Sequence, residues 1–154
     1  MEPAAYWILE ELGENDPELD LGIQYMHSLS GNEVTEDDLA FFLSSAGFVD
    51  DPSKARQDPY WERALPHRAA LSWLSPEFMR SPYSVDDLPS ITCPVLVTKG
   101  TVTEPWEKRV VDVLGERLPD ARVVELEGSH AHHIESIDRF LRELEDHLHS
   151  PAEA

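Results

Sequence analysis

Histidine is the side chain best suited to exchange a proton near neutral pH. Three of the seven histidines of this 154-residue chain crowd one short stretch, Glu127-Gly128-Ser129-His130-Ala131-His132-His133-Ile134-Glu135. Two chemistries use such a cluster. In the first, imidazoles and a carboxylate bind zinc, which requires a full ligand set. The chain has no H-E-x-x-H helix, no paired C-x-x-C and no distant acidic residue at a recognised spacing, so no metal or other cofactor is expected. In the second, one imidazole acts as a general base, which requires a loop that presents it at the rim of a crevice. His27, His67, His147 and His149 read as surface or helix-end residues. The single cysteine, Cys93, excludes an intramolecular disulfide. It precedes Pro94 with no basic neighbour, and is expected to be a small buried hydrophobe with no chemistry.

A presenting loop needs strands beneath it. Pro94-Val95-Leu96-Val97-Thr98 is a continuous apolar and β-branched run closed by Gly100, which reads as a strand buried on both faces, of the kind found in parallel sheets. Thr103 to Leu118 carries apolar residues at helical spacing, and Ala121 to Leu126 supplies a second strand centred on Val123 and Val124. Ile134, Ile137, Phe140, Leu141, Leu144 and Leu148 mark the apolar face of a final helix. The order strand, helix, strand, helix implies a parallel pair joined by a right-handed crossover. Crevices in such sheets open at the C-terminal ends of the strands, where His130 follows the second strand.

Residues 1–88 have a different grammar of short helices punctuated by glycine and proline. The spacing predicts helices over residues 4–12 closed by Gly13, from Asp16-Pro17 to Gly31, and from Thr35 to Gly47. A polar connector spans residues 50–58. After it, Asp58-Pro59 open a helix that Pro66 interrupts, and Ser75-Pro76 signal another. The chain thus divides into a helical segment, 1–88, and a β-α-β-α segment, 89–154.

From Ile91 to Leu148 the sequence resembles the end of the α/β-hydrolase fold. The resemblance rests on Cys93-Pro94-Val95-Leu96-Val97-Thr98-Lys99-Gly100, on Leu118-Pro119-Asp120-Ala121-Arg122-Val123-Val124-Glu125-Leu126-Glu127-Gly128-Ser129-His130, and on the placing of His130 ten positions before Phe140. It covers roughly the last sixty residues and implies an α/β protein: a partial α/β-hydrolase fold with a helical cap followed by a β-α-β-α unit with parallel strands. It further implies that His130 is the catalytic base of an esterase-like serine hydrolase acting on a small substrate. For the acid partner it points first to Glu2, in a Glu2-Pro3 context before the cap, and then to Glu104, one position past the place where many members carry it. Trp61, Trp73, Phe78 and Tyr83 stand where the cap of these hydrolases lines a pocket or packs its own core.

The family's G-x-S-x-G nucleophile turn occurs nowhere in the chain, and Ser129 is too close to His130 to replace it. The expectation is a C-terminal portion, inactive alone: a truncated product, a gene-model fragment or half of a split enzyme. Its partner would be a complementing N-terminal half or a second copy. The alternative is a non-catalytic helical interaction or regulatory module.

Charge narrows the classes further. Thirty-one Asp and Glu against twelve Lys and Arg give −19, and residues 1–50 hold no Lys or Arg at all. Such a surface repels a phosphate backbone and an anionic membrane, so neither nucleic acid nor membrane is an expected partner. Only Lys54, Lys99 and Lys108 are lysines, and an acidic, lysine-poor surface resembles those of halophile proteins. No stretch has the length of an apolar membrane span or the pattern of a signal peptide, and a cytoplasmic setting is expected.

Overall fold

The computed structural model describes residues 5–14, 16–49, 51–73 and 83–149. The chain forms two compact units, one of residues 15–81 and one of residues 1–14 with 82–154. The first fourteen residues therefore group with the C-terminal segment rather than with the helices that follow them in sequence.

Within residues 15–81, α2 (Pro17–Ser28) and α3 (Glu36–Ser45) are followed by a 3-10 turn (Pro52–Gln57), α4 (Trp61–Ala64) and a 3-10 stretch (Leu65–Trp73). Their starts follow from local chemistry. Asp16 accepts a hydrogen bond from the Leu19 N–H at 3.2 Å, and Thr35 forms a reciprocal capping box with Asp38 that satisfies otherwise orphaned N–H groups. Gly47 takes φ 69° just beyond α3, a left-handed value that costs glycine nothing. The core gathers Met26, Leu29, Leu39, Leu43, Trp61 and Leu71. Trp61 is a core residue, with the Arg56 guanidinium 5.2 Å from its ring centroid. Trp73 is exposed, and Phe78 and the helix expected at Ser75-Pro76 lie outside the described residues. Residues 51–58 of the polar connector are more ordered than their polarity implies, because Asp51 caps the 3-10 turn and Ala55 is fully buried within it.

The other unit holds α1 (Trp7–Leu12), a 3-10 turn (Val85–Ser90), β1 (Val95–Gly100), α5 (Pro105–Arg117), β2 (Ala121–Leu126), α6 (His132–Glu135) and α7 (Ile137–His149). The strands pair in parallel with Val95 opposite Ala121 and Gly100 opposite Leu126, as the strand–helix–strand pattern requires. Val97 and Thr98, on opposite faces of β1, are both buried. Helix α5 closes against the sheet through Gly115, where a Cβ would overlap the Val123 side chain. Helix α1 is tied in by Glu14, whose carboxylate takes both Nε and Nη2 of Arg109 at 2.8 Å. Glu11 caps the turn at 85–90, accepting from the Val85 N–H at 2.9 Å and from the Ser84 hydroxyl.

Two expectations change. The final helix is not continuous: Ser136 breaks it at φ −115°, ψ 42° and donates its hydroxyl to the Glu127 carbonyl at 2.6 Å, a local side-chain bond that competes with helix. Cys93 is exposed rather than buried, because strand pairing begins only at Val95 and residues 91–94 lie on the surface. Among the described residues no helix is long and apolar enough to cross a membrane.

Candidate active site

The loops that leave β1 and β2 are laced together, and this lacing places His130. The Val102 N–H donates to the Gly128 carbonyl at 3.0 Å, and the Gly128 N–H donates to Thr101 Oγ1 at 3.2 Å. Gly100 makes the approach possible, since a Cβ there would overlap the carbonyl oxygens of Gly128 and Ser129. From the far side, Glu135 of α6 holds Ser129 with both oxygens: Oε2 accepts the backbone N–H at 2.6 Å and Oε1 the hydroxyl at 2.9 Å.

This framework sets His130 Nδ1 2.7 Å from Oε1 of Glu107. The Glu107 side chain is only 3% exposed, whereas that of His130 is 20% exposed, so the carboxylate is the inner member of the pair. A buried carboxylate is costly unless its oxygens are bonded. The second oxygen, Oε2, accepts the Thr103 hydroxyl at 2.6 Å, one helical turn back. Glu107 also lies in the first turn of α5, where the unsatisfied N–H groups favour negative charge. Thr103, Glu107 and His130 therefore form a continuous line from hydroxyl to carboxylate to imidazole. A neutral His130 that donates its Nδ1 proton to Glu107 carries its lone pair on Nε2, the arrangement a general base requires.

The three clustered histidines are turned to different partners. His132 is fully buried, with Nε2 2.8 Å from Thr98 Oγ1 and Nδ1 3.1 Å from the Ser129 carbonyl. His133 meets the Phe140 ring edge-on at 6.1 Å. Among the described residues no three His, Cys, Asp or Glu side chains are grouped to hold a metal ion.

Of the two carboxylates singled out for the acid, Glu2 lies outside the described residues. Glu104 is exposed at the N-cap of α5 and makes no capping bond. The carboxylate beside His130 belongs to Glu107, which reasoning from loop positions passed over. A signal was present: Glu107, Val110, Val111 and Leu114 share helical spacing, so an acid stands on the apolar face of α5. Tyr83, the fourth aromatic, is exposed.

No protein-family model, no curated protein and no solved structure gives a significant match to the chain.

Proposed function

We propose that this chain carries the acid–base half of an α/β-hydrolase-type site, with His130 as general base and Glu107 orienting it, for an esterase-like reaction on a small substrate. The observation that carries the reading is the 2.7 Å contact between His130 Nδ1 and the buried Glu107 carboxylate, at the C-terminal end of a parallel strand. In the reaction, Glu107 holds the Nδ1 proton and His130 Nε2 takes the proton of a serine hydroxyl as its oxygen attacks the ester carbonyl. The imidazolium returns that proton to the departing alkoxide, and a water repeats the cycle on the acyl-enzyme. Because the chain has no G-x-S-x-G turn, the serine comes from another segment, and the isolated chain is inactive. The absence of any disulfide requirement favours a cytoplasmic setting.

The test is a fluorophosphonate probe, which labels only activated serines, applied to the chain purified with its native partners. Labelling of a co-purifying polypeptide, lost in His130→Ala, is the expected result. No labelled species, or labelling indifferent to His130, removes the hydrolase reading; labelling of this chain itself removes the claim that the serine lies elsewhere.

A second reading, a non-catalytic interaction module, draws on one observation. Ile137 and Leu141 of α7 are each 47% exposed and Leu148 is 71% exposed, which leaves apolar helix surface open to solvent. Concentration-dependent sedimentation of the chain, abolished by Leu141→Asp, would favour it.

A further inference from the structure

His132 is the one fully buried histidine, and the reaction outlined above gives it no task. A buried imidazole is inert ballast only if its nitrogens are satisfied locally. Here they reach two different elements. Nδ1 lies 3.1 Å from the Ser129 carbonyl oxygen, which also accepts the His132 backbone N–H at 2.9 Å. Nε2 lies 2.8 Å from the hydroxyl of Thr98 in the middle of β1, itself fully buried.

The partners decide the tautomer. A carbonyl oxygen can only accept, so the proton of a neutral His132 sits on Nδ1. Nε2 then bears the lone pair, and the Thr98 hydroxyl donates to it. This is the reverse of the arrangement in which Nε2 would share its own proton, and each bond is directional. The ring is a strut: one end is fixed to a strand, the other to the carbonyl of the residue immediately before His130.

We propose that His132 is a positioning residue for His130, holding the Ser129 carbonyl to Thr98 of β1 so that the imidazole of residue 130 stays against Glu107. The inference rests on the reading of His130 as the working base, but its physical content is independent of any substrate. Glu135 fixes Ser129 through its N–H and hydroxyl, and His132 fixes the same residue through its carbonyl, so the peptide leading into His130 is held on both sides. Of the two restraints, only the one through His132 refers the loop to the sheet.

Nitrogen-15 spectra of the full chain at neutral pH test the tautomer directly. His132 is expected to show a protonated Nδ1 and an unprotonated Nε2, with no change of tautomer when Glu107 is altered. The opposite tautomer overturns the proposal without any variant being made. The coupling is tested with Thr98→Val, which keeps the side-chain shape and removes the donor, beside Thr98→Ser, which restores the hydroxyl. The Nδ1 proton that His130 shares with Glu107, visible as an exchange-protected downfield resonance, is expected to be lost in Thr98→Val and retained in Thr98→Ser. A folded Thr98→Val that keeps the resonance overturns the proposal. Neither result depends on the serine-probe experiment, so failure here leaves the hydrolase reading standing, and failure there leaves the strut standing.

Discussion

Thr103 and Glu107 are one helical turn apart, and the hydroxyl of the first donates to Oε2 of the second at 2.6 Å with both side chains buried. The carboxylate that faces His130 is thereby held from behind. The acid that faces His130 thus stands on the first turn of α5, and Thr103, in the loop before that helix, supports it.

Thr103→Val tests the support. The substitution preserves volume and leaves one buried carboxylate oxygen without its donor, which is expected to destabilise the fold by about 1–3 kcal/mol. Thr103→Ser retains the hydroxyl and is expected to recover most of that loss. Urea unfolding of the three proteins measures the difference, and equal stability of Thr103→Val and the parent would remove the support.

Gly100→Ala addresses the approach of the two loops. The added Cβ meets the Gly128 and Ser129 carbonyls, backbone atoms that cannot swing aside. Overpacking of this kind costs about 1–3 kcal/mol. Because the strain falls on the residues just before His130, amide shifts should concentrate at residues 126–132. Shifts spread evenly over the unit would argue against a local role.

How much of this was legible in sequence depends on what each feature needs. Strand positions, the parallel pairing and most helix starts followed from Val95–Thr98, Val123-Val124, Thr35 and Asp16, because β-branched runs and capping residues act locally. The break at Ser136 was missed because its cause is a bond to Glu127, nine residues away across a loop. The place of His130 in the loop after β2 was legible, because it follows from chain order. Glu107 was not, because a search confined to loops overlooks a helix that turns one acid inward.

Acid titration probes the link between α1 and α5. The Arg109 guanidinium holds the Glu14 carboxyl below its ordinary value. A lowered carboxyl contributes stability that is present above its unfolded value near 4.5 and lost as pH falls through the folded value. The pair is exposed, so the effect is small and weakened by salt. Glu14→Gln should flatten the acid limb of the stability profile in dilute buffer and change little in high salt.

Alkaline titration probes the other unit. Tyr25 donates to Asp38, and this bond, with burial and the carboxylate charge, raises its hydroxyl to about 12. A raised folded value means stability that is intact below the unfolded value near 10 and lost as pH rises toward about 12. Tyr25→Phe removes that dependence, and denaturant midpoints measured across the alkaline range would detect it. An unchanged profile would show that the bond contributes nothing.

Self-repulsion at a net charge of −19 predicts a stability that grows with ionic strength. The thermal midpoint should rise between about 0.1 M and 1 M salt, over which screening shortens from about 10 to 3 Å. A midpoint that stays level would show that self-repulsion does not limit stability.

The pairing of His130 with Glu107 is tested most directly by the proton spectrum of the whole chain in cold, mildly alkaline buffer. Besides the Nδ1 proton of buried His132, an exchange-protected imidazole N–H resonance far downfield is predicted, absent in His130→Ala and absent or moved far upfield in Glu107→Gln while the remaining spectrum is unchanged. A resonance that survives unmoved in Glu107→Gln would contradict the pairing.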